Sequence, residues 1–300
     1  KRQRKLNNIM RLVLSFQRLF VSYLLSVGQR AVVSDPVGQW TQVGDDIDGE
    51  NAWDFAGGTQ QALAMNPLGT TIAVGSSGHD GGGTDAGHVR VFNLMDGRWE
   101  QRGADISGER AKDASGTSVV LSDDGMVIGI GEPNSEAGNT DQFERDFGQV
   151  RVFAWSEKDG DWVQRGNAIT GVDRFDFATS GQGLAMDASG STIVVGAAPH
   201  DGKGHARVFD WDGTDWSQRG DDMDGEAAGD WFGHAVAMSA SGNTVAVGAL
   251  FNDGNAENVG CVVCKGSVRI FDWNADDAVW TQRGADVDGE EDHDFSGSSG

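Results

Sequence analysis

From residue 57 onward, short apolar runs alternate with polar, glycine-rich turns. No run of eleven or more residues after 36 has a helical period. One stretch sets the pattern. HAVAMS (234–239) is short and apolar, ASGN (240–243) is turn chemistry, and TVAVGA (244–249) is apolar and rich in valine. A long polar loop leads to SVRIFDW (267–273), then NADDAV, then WTQRG (280–284). Each run has strand length and turn residues at both ends. The connections from first to second run and from third to fourth are short, which predicts two hairpins per unit.

The unit recurs. Trp-x-Gln stands at Trp40, Trp99, Trp162, Trp216 and Trp280, with gaps of 59, 63, 54 and 64 residues. A fixed period of this kind signals a propeller, a solenoid or an array. The first two strands mix Val and Met with Ala and Gly on both faces, as strands packed sheet on sheet do. VRVFDW and WxQRG alternate more clearly and read as the outer, half-exposed pair. Four antiparallel strands repeated radially make a propeller, and a stacked solenoid is the competing architecture. The predicted class is therefore all-β, with blades at about 57–103, 116–166, 179–220 and 232–284. WTQVG (40–44) is an orphan outer strand, and 294–300 begins a fifth blade. These boundaries predict a chain interrupted in mid-repeat at both ends.

The motifs resemble the FG-GAP family, the repeats of integrin-α-type propellers. The likeness rests on Phe232–Gly233, an apolar strand, a turn, and VAVGA at 245–249. VVGAAP (194–199), GIGEP (129–133) and AVGSS (73–77) are its weaker counterparts. It covers about 37–300. It implies a ring that closes with seven blades, and calcium loops between the first and second strands. Those turns are NPLG, SDDG, DASG and SASG here, too short and mostly without acids, so no calcium ligand is carried over.

Residues 1–36 are different material. Residues 1–30 hold seven Lys or Arg and no acid. An apolar stretch over 9–27 is interrupted by polar residues at helical spacing, which predicts an amphipathic helix. Arg11 and Arg18 argue against a spanning segment. A processed secretory signal ranks first. An interfacial helix giving membrane association, and upstream residues that are not native, stay open. The remaining 270 residues carry 16 basic and 46 acidic groups, so this surface repels nucleic acid and anionic lipid. Cys261 and Cys264 form no disulfide scaffold and lack a second pair for zinc; they read as a local disulfide or as two idle thiols.

GDDMDGEAAGDWFG (220–233) has the look of a metal loop. With Gly225 at the turn position of an EF-hand, its first and twelfth positions are Gly220 and Trp231, neither of them a ligand. A recurring aspartate remains: Asp54, Asp113, Asp176, Asp230 and Asp294. Its presence in every copy favours a structural part over weak calcium binding, either capping turn amides or pairing with an arginine. Arg90, Arg151, Arg207 and Arg269 on the third strands recur with it, as do Arg102, Arg165, Arg219 and Arg283 on the fourth. Trp99, Trp162, Trp216 and Trp280 read as packing rather than as ligand platforms.

In an up-down meander the acidic loops and the second-to-third-strand loops emerge on one face. The latter vary in length, at 76–88, 132–149, 197–206 and 250–267. Variable insertions on one face mark a binding face. Its candidates are His79, Asp80, His200, Asp201, Asn252 and Asp253, with a plain turn as the competing reading. The sequence holds no HExxH, GxSxG or Walker loop. It therefore predicts a non-enzymatic, secreted or cell-surface adhesion module for a protein or glycan ligand, with no cofactor beyond weak calcium. The alternative is a propeller hydrolase or lyase with a central active site.

Overall fold

The chain was studied as a computed structural model, which describes residues 40–59, 61–135, 147–171, 183–198, 202–252, 264–291, 294 and 296. The expected helix within 1–36 and most of the partial blade at 294–300 lie outside these residues. Two units are distinguished, Lys1–Val43 and Gly44–Gly300, and every strand among the described residues lies in the second.

Four antiparallel sheets follow one another along the chain. The first holds β1 (Leu63–Met65), β2 (Thr71–Ser76), β3 (His88–Met95), β4 (Arg98–Gln101) and β5 (Ile106–Ser107). The second holds β6 (Ser118–Leu121), β7 (Val127–Glu132), β8 (Gln149–Ser156), β9 (Asp161–Gln164) and β10 (Ile169–Thr170). The third holds β11 (Leu184–Met186), β12 (Thr192–Ala197), β13 (His205–Trp211), β14 (Trp216–Gln218) and β15 (Met223–Asp224). The fourth holds β16 (Phe232–Met238), β17 (Thr244–Ala249), β18 (Ser267–Asn274), β19 (Val279–Gln282) and β20 (Val287–Asp288).

Each sheet thus has one short strand more than the four-stranded unit read from the sequence. The extra strand is the outer strand resumed. A glycine in the left-handed region (Gly103, Gly166, Gly220 or Gly284, φ +72 to +80°) kinks the chain after Trp-x-Gln-Arg. The chain then pairs again with the start of the third strand, as Val89 with Ile106 and Ala206 with Met223.

The first strands of successive sheets lie side by side. Three apolar clusters fill the spaces between neighbouring sheets. Val89, Val91, Ile128 and Ile130 belong to the first, Val150, Val152, Ile193 and Val195 to the second, and Val194, Val208, Val245 and Val247 to the third. Val194 and Val195 face opposite clusters, which is why these strands are apolar on both sides. Each such fully buried side chain contributes about 1.5–3 kcal/mol.

The Phe-Gly and Gly-Ala positions meet between sheets. A Cβ on Gly196 would come within 2.0 Å of the Gly233 carbonyl oxygen, so the two backbones touch only because residue 196 is glycine. Towards the outside, the Trp162, Trp216 and Trp280 indoles donate to the Arg102, Arg165 and Arg219 carbonyls of the preceding sheet at 2.8–2.9 Å. The Arg102 guanidinium lies 4.3 Å from the Trp155 ring centre, and that of Arg165 lies 4.6 Å from Trp211. One indole hydrogen bond and one cation–π contact therefore latch each of these sheets to the next.

Candidate polar sites on the loop face

The acidic loops wrap over the start of each third strand. In three of them the recurring aspartate closes a tight turn. Asp54, Asp113 and Asp230 are buried, and each accepts the amide three residues before it (Asn51, Arg110, Ala227) at 2.7–2.9 Å. Asp294 does the same with Glu291 at 2.8 Å. Neighbours of these aspartates take φ values that L-residues rarely adopt: Trp53 and Phe55, Lys112 and Ala114, and Trp231. The aspartate acceptor is what holds such a turn together.

The third-strand arginines point back to the same loops. Arg90, Arg151, Arg207 and Arg269 donate to the Asp48, Ser107, Thr170 and Asp224 carbonyls. For Arg90, Arg151 and Arg269 the ion-pair partners in the acidic loops are glutamates. Glu50, Glu109 and Glu226 lie 3.9–4.0 Å from Arg90, Arg151 and Arg269.

On this common frame the first two sheets carry different polar groups. In the first, His79 and His88 stack with ring centres 3.8 Å apart and planes 25° apart. His79 Nδ1 accepts the Gly81 amide at 3.1 Å, and its Nε2 lies 3.2 Å from Glu50 Oε2. His88 is fully buried, and neither ring nitrogen has a hydrogen-bond partner. Asp105 Oδ2 lies 3.5 Å from its Nδ1. Burial lowers the pKa of His88, with the charges of His79 and Arg90 acting the same way, against Asp105 and Glu50. The third sheet repeats part of this: His205 starts β13 within reach of Asp222 and Asp224.

In the second sheet the corresponding positions are Glu132 and Gln149, paired across β7 and β8. Glu132 is fully buried. Its Oε1 receives Arg151 Nε at 2.8 Å and the same residue's terminal nitrogen, and its Oε2 receives Gln149 Nε2 at 2.5 Å. This second carboxylate changes the recurring aspartate of its sheet. Burial first, and the Glu132 charge after it, push the Asp113 pKa up to about 6, against the pull of the Arg110 amide, Arg110 and Arg151. Lys112 and Ala114, on either side of Asp113, line a shallow cleft of about 350 Å³ with Ser77, Gly78, Asp85 and Asn134.

Of the ligand-face candidates, His79 and Asn252 are buried. Asn252 Nδ2 donates to Asp230 Oδ2 at 3.2 Å. Asp80 accepts the Asp85 amide at 2.9 Å inside its own loop. Asp176, His200, Asp201 and Asp253 lie outside the described residues. The first-hairpin turns consume their own side chains as acceptors: Asn66 Oδ1 takes the Thr70 and Thr71 amides, and Asp187 Oδ1 those of Ser191 and Thr192. Cys264 is disulfide-bonded, and there is no free cysteine among the described residues. Sequence reasoning missed Glu50, His88, Asp105 and Glu132. His88 had a visible echo in His205, and Glu132 stands where its counterparts are Ser76, Ala197 and Ala249.

Comparisons with known proteins now bear on this geometry. No curated protein sequence matches the chain. A provisionally named 6-phosphogluconolactonase from Bacteroides uniformis is similar in structure, with a TM-score of 0.50, 10% identity, and coverage of 77% of this chain and 55% of that one. A second, from Bacteroides fragilis, has a TM-score of 0.49, 11% identity and coverage of 87% and 61%. The β-propeller domain of the Trilobed protease from Pyrococcus furiosus has a TM-score of 0.41, 10% identity and coverage of 77% and 56%. The chain spans 55–61% of the length of these proteins, and at such identity the likeness is one of fold. The non-enzymatic adhesion reading is corrected on this ground: the Bacteroides uniformis protein that shares the fold is provisionally named as an enzyme. Residues 223–262 match the FG-GAP repeat, and the described residues form an all-β, propeller-type fold that carries this repeat.

Proposed function

We propose that this propeller is a hydrolase domain acting on a carboxylic ester or lactone, with its polar groups at the cleft between the first two sheets rather than at a ring centre. The observation that carries the reading is Asp113. It is a buried carboxyl held near pKa 6, directly behind a cleft walled by its own neighbours Lys112 and Ala114. A carboxyl of that pKa is suited to moving a proton near neutral pH. One of its oxygens is engaged by the Arg110 amide, so in this scheme the proton is carried on the other.

In this scheme Asp113 takes a proton from a water while the water oxygen bonds to the substrate carbonyl carbon. The carbonyl electron pair moves onto its oxygen, where the Lys112 ammonium offsets the charge. On collapse the carbon–alkoxide bond breaks, and the alkoxide leaves with the proton from Asp113. Glu132 acts by position: it fixes Arg151 and keeps Asp113 from ionising early. Water is the attacking group in this scheme.

The test is a panel of chromogenic esters and simple lactones assayed against pH. Turnover should rise through a limb near pH 6 that disappears in Asp113→Asn. No turnover above buffer, or an unchanged profile in Asp113→Asn, would defeat the reading.

A further inference from the structure

We infer that Glu50, His79 and His88 form a binding site for a borderline divalent transition-metal ion of the zinc type. The inference is independent of the acid–base reading of the second sheet. It starts from the donor set: the ligand atoms of these three residues all lie within 4.8 Å of one another. Two imidazoles and one carboxylate are a ligand set zinc takes in sites that keep a position open. They come from three separate segments, the acidic loop, the β2–β3 loop and the first residue of β3, so the set is assembled only by the fold.

The second observation is His88. A fully buried imidazole whose two nitrogens both lack hydrogen-bond partners is costly unless something else meets it. Its surroundings give the two nitrogens different parts. Asp105 lies on the Nδ1 side at 3.5 Å. A carboxylate there favours the proton on Nδ1 and leaves the Nε2 lone pair for a cation, the usual outer support of a ligating histidine. Ser76, across the strand pair from His88, adds another buried oxygen without a partner. Glu50 supplies the negative charge and is partly exposed, which gives an ion a way in.

Loading requires two local changes. The stacked rings must splay so that their lone pairs converge. His79 must also carry its proton on Nδ1, which gives up the contact from the Gly81 amide. The second sheet cannot form such a site, because Glu132 and Gln149 stand where Ser76 and His88 do and Arg151 neutralises the carboxylate.

The test uses the whole chain, stripped with chelator and titrated with Zn²⁺ against a chromophoric competitor, with Co²⁺ as a spectroscopic probe. Wild type should bind one equivalent and give cobalt d–d bands. Glu50→Gln and His79→Ala should each weaken binding by roughly 10–100-fold or more, the scale seen when even a supporting group is lost. Asp222→Asn, in the third-sheet cluster, should leave it unchanged. If His79→Ala does not fold by its melting curve, His79→Asn replaces it. Absence of binding in wild type overturns the inference. So does binding that survives both Glu50→Gln and the His79 variant, or binding lost only in Asp222→Asn.

Discussion

The first and second sheets are nearly the same object built twice. Both hold the buried aspartate that accepts a turn amide, the third-strand arginine that reaches back to the acidic loop, and the valines of the shared cluster. They differ at one cross-strand pair. Ser76 and His88 face each other in the first, and Glu132 and Gln149 in the second. That exchange puts a buried ion pair where the first sheet has a histidine, and the Glu132 charge adds to the burial that raises the pKa of Asp113. A repeat fold can thus keep its frame constant and vary its chemistry at the ends of the second and third strands.

The sharpest way to break this comparison is to remove the added charge. Glu132→Ala leaves Arg151 buried without its close carboxylate, which typically costs about 3–5 kcal/mol. Denaturant unfolding should report it, with Glu132→Gln milder.

Asp113 comes next. Its folded pKa of about 6 stands above the 3.8 of an exposed aspartate, so the folded state holds the proton more tightly. Its contribution to stability is fully present below about pH 4 and is lost as pH rises to about 6, by up to roughly 3 kcal/mol. Asp113→Asn keeps an acceptor for the Arg110 amide and should flatten that fall, so that above pH 6 the variant is at least as stable as wild type. A pH series of unfolding midpoints measures both.

The recurring turn gives a smaller effect. Asp230→Ala removes the acceptor of the Ala227 amide and of Asn252, with a cost of about 1–3 kcal/mol. Asp230→Asn should lose less. Chelator should leave the melting temperature of wild type and of both variants unchanged if the turn is held by hydrogen bonds alone.

Smallest is Ser76→Ala in the first sheet. Its hydroxyl has no hydrogen-bond partner, so thermal melting should move by no more than the equivalent of about 0.5 kcal/mol. A much larger loss would mean that the hydroxyl and His88 share a bound group, and it would sharpen the case for an ion beside His88.

Much of the architecture was readable from the sequence because it repeats. The tryptophan at the head of each outer strand, the glycine after Trp-x-Gln-Arg and the Phe-Gly and Gly-Ala pairs recur because the contact between successive sheets recurs. Each contact needs the same indole donor, the same left-handed kink and the same missing Cβ. The recurring aspartate could be seen, but not its partner, since arginine pairing and amide capping predict the same spacing. The polar sites were not readable. Glu132 lies nineteen residues before Arg151 and Glu50 lies far ahead of His88 in sequence, and no local pattern marks either pair.

What the sequence alone determined, then, was the all-β class, the order of strands and the positions where backbone meets backbone. These follow from alternation, turn chemistry and a period, all of them local or repeated. Tertiary structure alone decided which polar groups became buried partners. The strand register brought Glu132 opposite Gln149, and the folding of three separate segments beside β3 set Glu50, His79 and Asp105 around His88. Burial and proximity set charge, tautomer and ligand capacity, and both are properties of the packed sheets rather than of any segment read by itself.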